Sequence, residues 1–304
     1  MTEGGPVPVA LRVHLAHATV QAVAEACGAH LLHIKGPATD PRLRLASGEV
    51  DEAGALLHAP RASTDADVLV RPDQVTRFVR SLTEHGWRVL TTFRTGSAFE
   101  HAATLWHNEL GFVDVHRHFP GIERDPWDAF DLMWRSRHSI DLAHRACSVP
   151  SVEHQRLLLL LHAARSGGPA SPIAHALWGD AGEPVRADVR RVASLMHAEV
   201  ALAAATGDLD DFAEHPSYAL WRAYSTGGKV DRLTEWRARL TAAPTVAARL
   251  DLLARALLVN RDHLAMSLLR EPTAAEVAAE YLHRIRRGVS ELWGLAVARL
   301  RGRR

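Results

Sequence analysis

The stretch Arg61-Ala62-Ser63-Thr64-Asp65-Ala66-Asp67-Val68-Leu69-Val70 decides the fold of this chain. Its apolar run, closed by Pro72, predicts a strand over residues 66–70. Asp65 and Asp67, two positions apart at the start of that strand, then project from one face, with Cα atoms about 6.6–7 Å apart. Two ionised carboxylates converging to about 4 Å repel by roughly 4 kcal/mol at an effective dielectric of 20. A fold keeps such a pair only if a cation or hydrogen-bond donors compensate, and magnesium does so through one or two carboxylates plus phosphate oxygens.

A third carboxylate comes from Phe112-Val113-Asp114-Val115-His116, where Asp114 sits between apolar neighbours of opposite facing, 114 − 67 = 47 positions after Asp67. A lone aspartate in a buried strand is costly unless it is paired or metal-bound. If the two strands are neighbours, Asp65, Asp67 and Asp114 meet on one face and could hold two metals about 3.5–4 Å apart, the arrangement used for in-line displacement at phosphorus. An Asp-x-Asp pair alone is common, and Asp208-Leu209-Asp210 is another, at a helix start after Gly207. The apolar strand behind the first pair and the second buried aspartate give it weight. Upstream, Leu31–Ile34 reads as a buried strand ended by Lys35-Gly36-Pro37. A glycine there lets a phosphate approach the backbone closely, and the adjacent ammonium can neutralise developing charge.

The remaining pattern is α+β, then helical. A helix is predicted from about Val9 to Cys27, capped by Gly28. A long loop over residues 40–60 follows, with one short helix around Asp51 to His58. A helix opening at Pro72-Asp73 carries Val75, Phe78, Val79 and Leu82 on one face and ends at Gly86. Strands are predicted at Trp87–Phe93, Ala103–Asn108 and Phe112–Phe119, which completes a layered domain near Pro120. Beyond it, Trp127, Phe130 and Trp134 mark a helix, and Ser151 can cap a leucine-rich helix from Val152 to Arg165. Further helices run through Val185–Thr206 to a last one that starts at Thr273, where Glu276 completes a capping box. Two domains are expected, 1–120 and 121–304, the second all-helical and forming the other wall of a cleft.

His33-Ile34-Lys35-Gly36, Arg61-x-Ser63-x-Asp65-x-Asp67-Val68-Leu69-Val70, Gly86-Trp87 and Val113-Asp114-Val115-His116 together resemble an uncharacterised bacterial nucleotidyltransferase-like family of the DNA polymerase beta-type superfamily. The resemblance covers about Leu31 to Phe119, with a weaker echo in the helix holding Leu157 to His162. It implies a mixed sheet with flanking helices and two-metal transfer of a nucleoside monophosphate from an NTP to an acceptor, releasing pyrophosphate. Asp65, Asp67 and Asp114 would be the metal ligands, with Asp114 also the activator of the acceptor hydroxyl. Lys35, Gly36, Ser63 and Arg61 would face the nucleotide. Lys35-Gly36 replaces the superfamily's usual glycine-serine turn, and the Gly36-to-Arg61 connection is longer than usual, which leaves room for an inserted lid or an altered acceptor pocket.

Composition narrows the partners. Among 304 residues, Lys+Arg 36 against Asp+Glu 35 leaves a net charge of +1, so no global field draws the protein to a polyanion. A small-molecule acceptor is therefore favoured over RNA. RNA, as in toxin-like nucleotidyltransferases, would need the arginines of the last helix, such as Arg284, Arg287 and Arg299, to form a basic path. A non-catalytic descendant that binds nucleotide or protein is the alternative from another class. With 2 cysteines, Cys27 and Cys147, a disulfide framework and a thiolate zinc site are excluded. The chain has 19 histidines, and His101, His107, His116 and His118 crowd the later strands, so a His/Asp transition-metal site is conceivable. His116 would otherwise orient Asp114 from behind. No apolar run approaches a membrane span, and the first residues lack a signal-peptide pattern, so a cytoplasmic protein is expected.

Overall fold

The computed structural model describes residues 7–50, 56–58, 63–97, 99–227, 232–243, 245–268, 270–284 and 286. Helix α1 (Val9–Cys27) buries the stripe Val13, Ala16, Val20 and Val23 and ends at Gly28, whose left-handed φ of 67° lets its N–H close on the carbonyls of Ala24 and Glu25. Strand β1 (Leu31–Ile34) follows at once. A two-stranded ribbon, β2 (Ala46–Val50) with β3 (Leu56–His58), comes next. Of the short helix expected around Asp51 to His58, residues 56–58 are strand instead, and residues 51–55 lie outside the described residues. Three apolar or imidazole residues in a row carry no period, so pairing rather than pattern decided their state.

Strand β4 (Asp65–Val70), helix α2 (Val75–Glu84), strand β5 (Arg88–Thr91), the short helix α3 (Phe93–Gly96) and strands β6 (Ala102–His107) and β7 (Gly111–His116) complete the main sheet. Its order is β1-β4-β7-β6-β5. β4 and β7 run parallel, and the other pairings are antiparallel. The sheet is therefore mixed, as expected. One face packs Ala66, Val68, Val113 and Val115 against α1 and against Phe78 and Leu82 of α2. On the other, Leu32, Ile34 and Leu69 meet Phe130 of helix α4 (Pro126–Arg135) and the leucines of helix α5 (Val152–Arg165). Leu157–Leu161 are all buried, the signature of a helix enclosed on every side. Alternation along β4 puts Asp65 and Asp67 on the Leu69 face, toward α5.

Two compact units are formed, Met1–Ala242 and Ala243–Arg304. The division expected at residue 120 falls inside the first, where Leu32, Ile34 and Leu69 share one core with Phe130 and the α5 leucines. After α4 the chain makes a hairpin, β8 (His138–Leu142) with β9 (Arg145–Val149), before the helices begin in earnest. Its two-residue turn, Ala143-His144, has φ of 51° and 63°. Such turns normally advertise themselves as Asn-Gly or Asp-Gly, and Ala-His does not. The single helix expected over Val185–Thr206 is two, Glu183–Leu195 and Glu199–Thr206, broken at His197, whose φ is 49°. The second unit contains helices Val246–Leu257 and Arg261–Leu268 and a helical stretch over 274–284. There the expected capping box forms: the Thr273 N–H donates to Glu276 at 2.8 Å, and the Glu276 N–H donates to the Thr273 hydroxyl at 3.3 Å. No described helix is long and apolar enough to cross a membrane.

Candidate active site

The register of the sheet brings the two key carboxylates side by side. Asp67 is directly opposite Asp114, with Ile34 beyond Asp67 and Thr104 beyond Asp114, so one row crosses four strands. Asp67 is 5% exposed. The Lys35 ammonium donates to its Oδ1 at 2.6 Å, and the His116 ring donates Nε2–H to the same oxygen at 2.8 Å. Among the described residues none bonds Oδ2. Burial alone would raise the Asp67 pKa, but Lys35 and the His116 hydrogen bond outweigh it and hold the carboxylate far below its usual range. His116, expected behind Asp114, therefore orients Asp67 instead. Burial keeps the imidazole neutral, with a pKa lowered to about 4, and its Nδ1 is buried without a partner.

Asp114 accepts a hydrogen bond from the Thr104 hydroxyl at 2.7 Å. Burial first, then the charges of Asp67 and Asp65, push its pKa up to about 6. Asp65 is also raised, by burial and then by Asp67, although Ser63 donates to its Oδ1 at 2.9 Å. Asp67, Asp114 and His116 each offer a ligand atom within 4.8 Å of the others'. Asp65 stands outside that tightest group, yet its charge helps to raise the Asp114 pKa, and its own pKa is raised in part by Asp67. The fit to a hard divalent cation is good. Three carboxylates crowd one face, the charge of Asp67 raises the pKa of both Asp65 and Asp114, the donor set is mainly oxygen, and Asp67 keeps one oxygen unbonded.

The Lys35-Gly36 turn is built for close approach. Lys35 has φ of 59° and Gly36 of 49°, and a Cβ on Gly36 would lie 3.0 Å from the Ser63 Cβ. We expect Gly36→Ala to destabilise the protein by about 1–3 kcal/mol through backbone strain and that contact. Thermal unfolding measures it, and an unchanged transition would show that the turn relaxes freely. Ser63, expected to face phosphate, is turned to Asp65 here. Arg61 lies outside the described residues, as do Arg287 and Arg299. A cavity of about 780 Å³ opens beside Lys35, Gly36, Asp65 and Asp67, with Val9 and Val13 of α1 on one side and His162 of α5 on another. Sequence reasoning missed the Lys35–Asp67 ion pair and the Thr104 contact, because both depend on which strands are neighbours.

Residues 58–170 match the model of a family described as uncharacterised nucleotidyltransferase. That segment therefore carries a nucleotidyltransferase domain of this family. The matched segment holds all three carboxylates and runs through α5. No curated protein matches the sequence. Among solved structures, this nucleotidyltransferase is 14% identical to the lincosamide antibiotic adenylyltransferase LnuA bound to lincomycin, with 60% of this chain and 96% of that one covered and a TM-score of 0.32. It is 15% identical to the antibiotic-resistance factor ANT(2'')-Ia, with 67% and 93% covered and a TM-score of 0.35. Scores this low establish no shared fold, and the assignment stands on the family match.

Proposed function

We propose that this nucleotidyltransferase moves a nucleoside monophosphate from a magnesium-bound NTP to a hydroxyl or phosphate of a small-molecule acceptor, with release of pyrophosphate. The observation that carries the reading is the side-by-side placement of buried Asp67 and half-buried Asp114 on parallel strands, with Asp65 on the same face. Asp65, Asp67 and Asp114 would hold the metal. Two bound magnesium ions would supply charge neutralisation on the triphosphate and on the attacking and leaving oxygens. Everything else is done by the chain. Lys35 and Gly36 receive phosphate oxygens at the turn after β1, with Ser63 and Arg61 beside them. Asp114, whose pKa is raised to about 6, accepts the acceptor's proton near neutral pH. His116 keeps Asp67 oriented through its Nε2–H.

The segment beyond residue 120 supplies the facing wall through α5, which brings His162 to the cavity. A space of about 780 Å³ with Val9 and Val13 on one side suits a small molecule with an apolar part, since ligand cavities run to about 300–1,000 Å³. An RNA acceptor has no comparable support. The test is transfer of label from α-labelled NTP to a mixture of hydroxylated small molecules, with a parallel RNA pool. Label should reach a small molecule, and a chelator should abolish the transfer. Label entering RNA alone would overturn the acceptor assignment.

A further inference from the structure

Arg165, the last residue of α5, makes no ion pair among the described residues. Its guanidinium lies by the rings of Phe99 and Phe119, 5.6 and 5.8 Å from their centroids. The Lys35 ammonium is 6.0 Å from the centroid of the same Phe119 ring. Two cations, one from the sheet edge and one from the helical wall, thus converge on one aromatic side chain. Phe119 in turn stacks on His116, the partner of Asp67.

The hydrogen bonds of Arg165 go only to imidazoles. One terminal nitrogen donates to His101 Nε2 at 3.3 Å and the other to His162 Nδ1 at 3.5 Å, while its Nε is buried with no partner. A guanidinium cannot accept, so His101 carries its proton on Nδ1 and donates it to the Ser97 hydroxyl at 2.6 Å. Burial holds His101 well below its usual pKa, which keeps this acceptor neutral. No described carboxylate forms an ion pair with Arg165, and Asp67 and Asp114 reach it only as longer-range charges. Burying a guanidinium against neutral partners is costly, and an apolar side chain of similar volume would pack with Phe99 and Phe119 more cheaply. Among the described residues no anion is bound to it. A planar fork of N–H donors matches phosphate oxygens two at a time, which an ammonium cannot do.

We propose that Arg165, which like Lys35 lies by the Phe119 ring, is the ligand of the departing diphosphate: it binds the β- and γ-phosphates of the NTP and holds them as pyrophosphate. This rests on the transfer reading given above. In that step the acceptor oxygen bonds to the α-phosphorus and the bond from the α-phosphorus to the bridging oxygen breaks. The electron pair leaves on pyrophosphate, beside Arg165, and the acceptor proton goes to Asp114.

The test is calorimetric titration of the full chain with inorganic pyrophosphate and magnesium, comparing wild type, Arg165→Lys and Arg165→Met, with thermal unfolding of each. Binding should weaken by roughly 10- to 100-fold in Arg165→Met and by a smaller factor in Arg165→Lys, which keeps the charge and loses the fork. Arg165→Met should unfold no lower than wild type, because it removes an unpaired buried charge. A lower transition with unchanged pyrophosphate affinity would make Arg165 a packing residue and overturn the proposal, as would a wild type that binds no pyrophosphate. Should Arg165→Met fail to fold, full affinity in Arg165→Lys overturns it. Label transfer by wild type and by Asp67→Asn tests the parent reading separately: transfer lost in Asp67→Asn with Arg165-independent pyrophosphate binding removes the subsite alone.

Discussion

Asp67→Asn is expected to lower stability by about 3 kcal/mol and to cut nucleotidyl transfer by about a thousandfold or more. The stability loss follows from what is left behind. Lys35 and His116 both donate to Asp67 Oδ1, and the side chain of Lys35 is only 11% exposed. An asparagine carbonyl can still accept from His116, but it leaves a buried ammonium without its counter-charge, and breaking a buried pair costs about 3–5 kcal/mol. For a folding unit of this size that is a fall of about 5–15 °C in the unfolding temperature. Loss of transfer has a different cause, removal of the anionic ligand that the metal needs. Calorimetric unfolding and label transfer measure the two effects on one protein. An unfolding temperature equal to wild type would show that Lys35 does not depend on Asp67.

Asp114→Asn should lose transfer to a similar degree and gain stability. In the metal-free protein the ionised Asp114 is opposed by burial and by the charges of Asp67 and Asp65. A carboxyl whose folded pKa lies above its unfolded value destabilises the fold as pH rises. Asp114 is neutral in both states well below pH 4, the cost grows between about pH 4 and pH 6, and above its folded value of about 6 the cost is complete. Asparagine keeps the Thr104 hydrogen bond and carries no charge, so the variant should be more stable by about 1–3 kcal/mol at pH 7.5 and equal to wild type near pH 3.5. Unfolding curves at the two pH values without metal check this. A variant less stable at pH 7.5 would mean that Asp114 is held by a partner rather than repelled. The contrast with Asp67→Asn is the point: two neighbouring aspartates, similar losses of activity, opposite signs in stability.

Much of this could be read from the chain. The alternation Asp65-Ala66-Asp67-Val68-Leu69 fixes which side chains share a face, and it places Asp114 among apolar neighbours of opposite facing. Both hold in the structure, where β4 and β7 are parallel neighbours. Order within a sheet is not a local property. That β1 pairs with β4, which lets Lys35 reach Asp67, and that β7 brings His116 to Asp67 rather than to Asp114, depend on contacts between segments far apart in sequence. The β8–β9 hairpin was hidden for a different reason, since its Ala143-His144 turn uses left-handed residues without the usual turn chemistry. In the sequence Arg165 is only the last residue of a leucine-rich helix, and its surroundings, two aromatic rings and two imidazoles, make it unusual.

In the proposed reaction Asp67 and Asp114 grip a divalent cation next to a bound triphosphate. Manganese binding followed by electron paramagnetic resonance, with a non-hydrolysable NTP present, tests it in wild type and in folded Asp114→Asn. The account predicts bound manganese in wild type that tightens with nucleotide, and at least a tenfold loss of affinity in the variant. Equal manganese binding in the two proteins would contradict it.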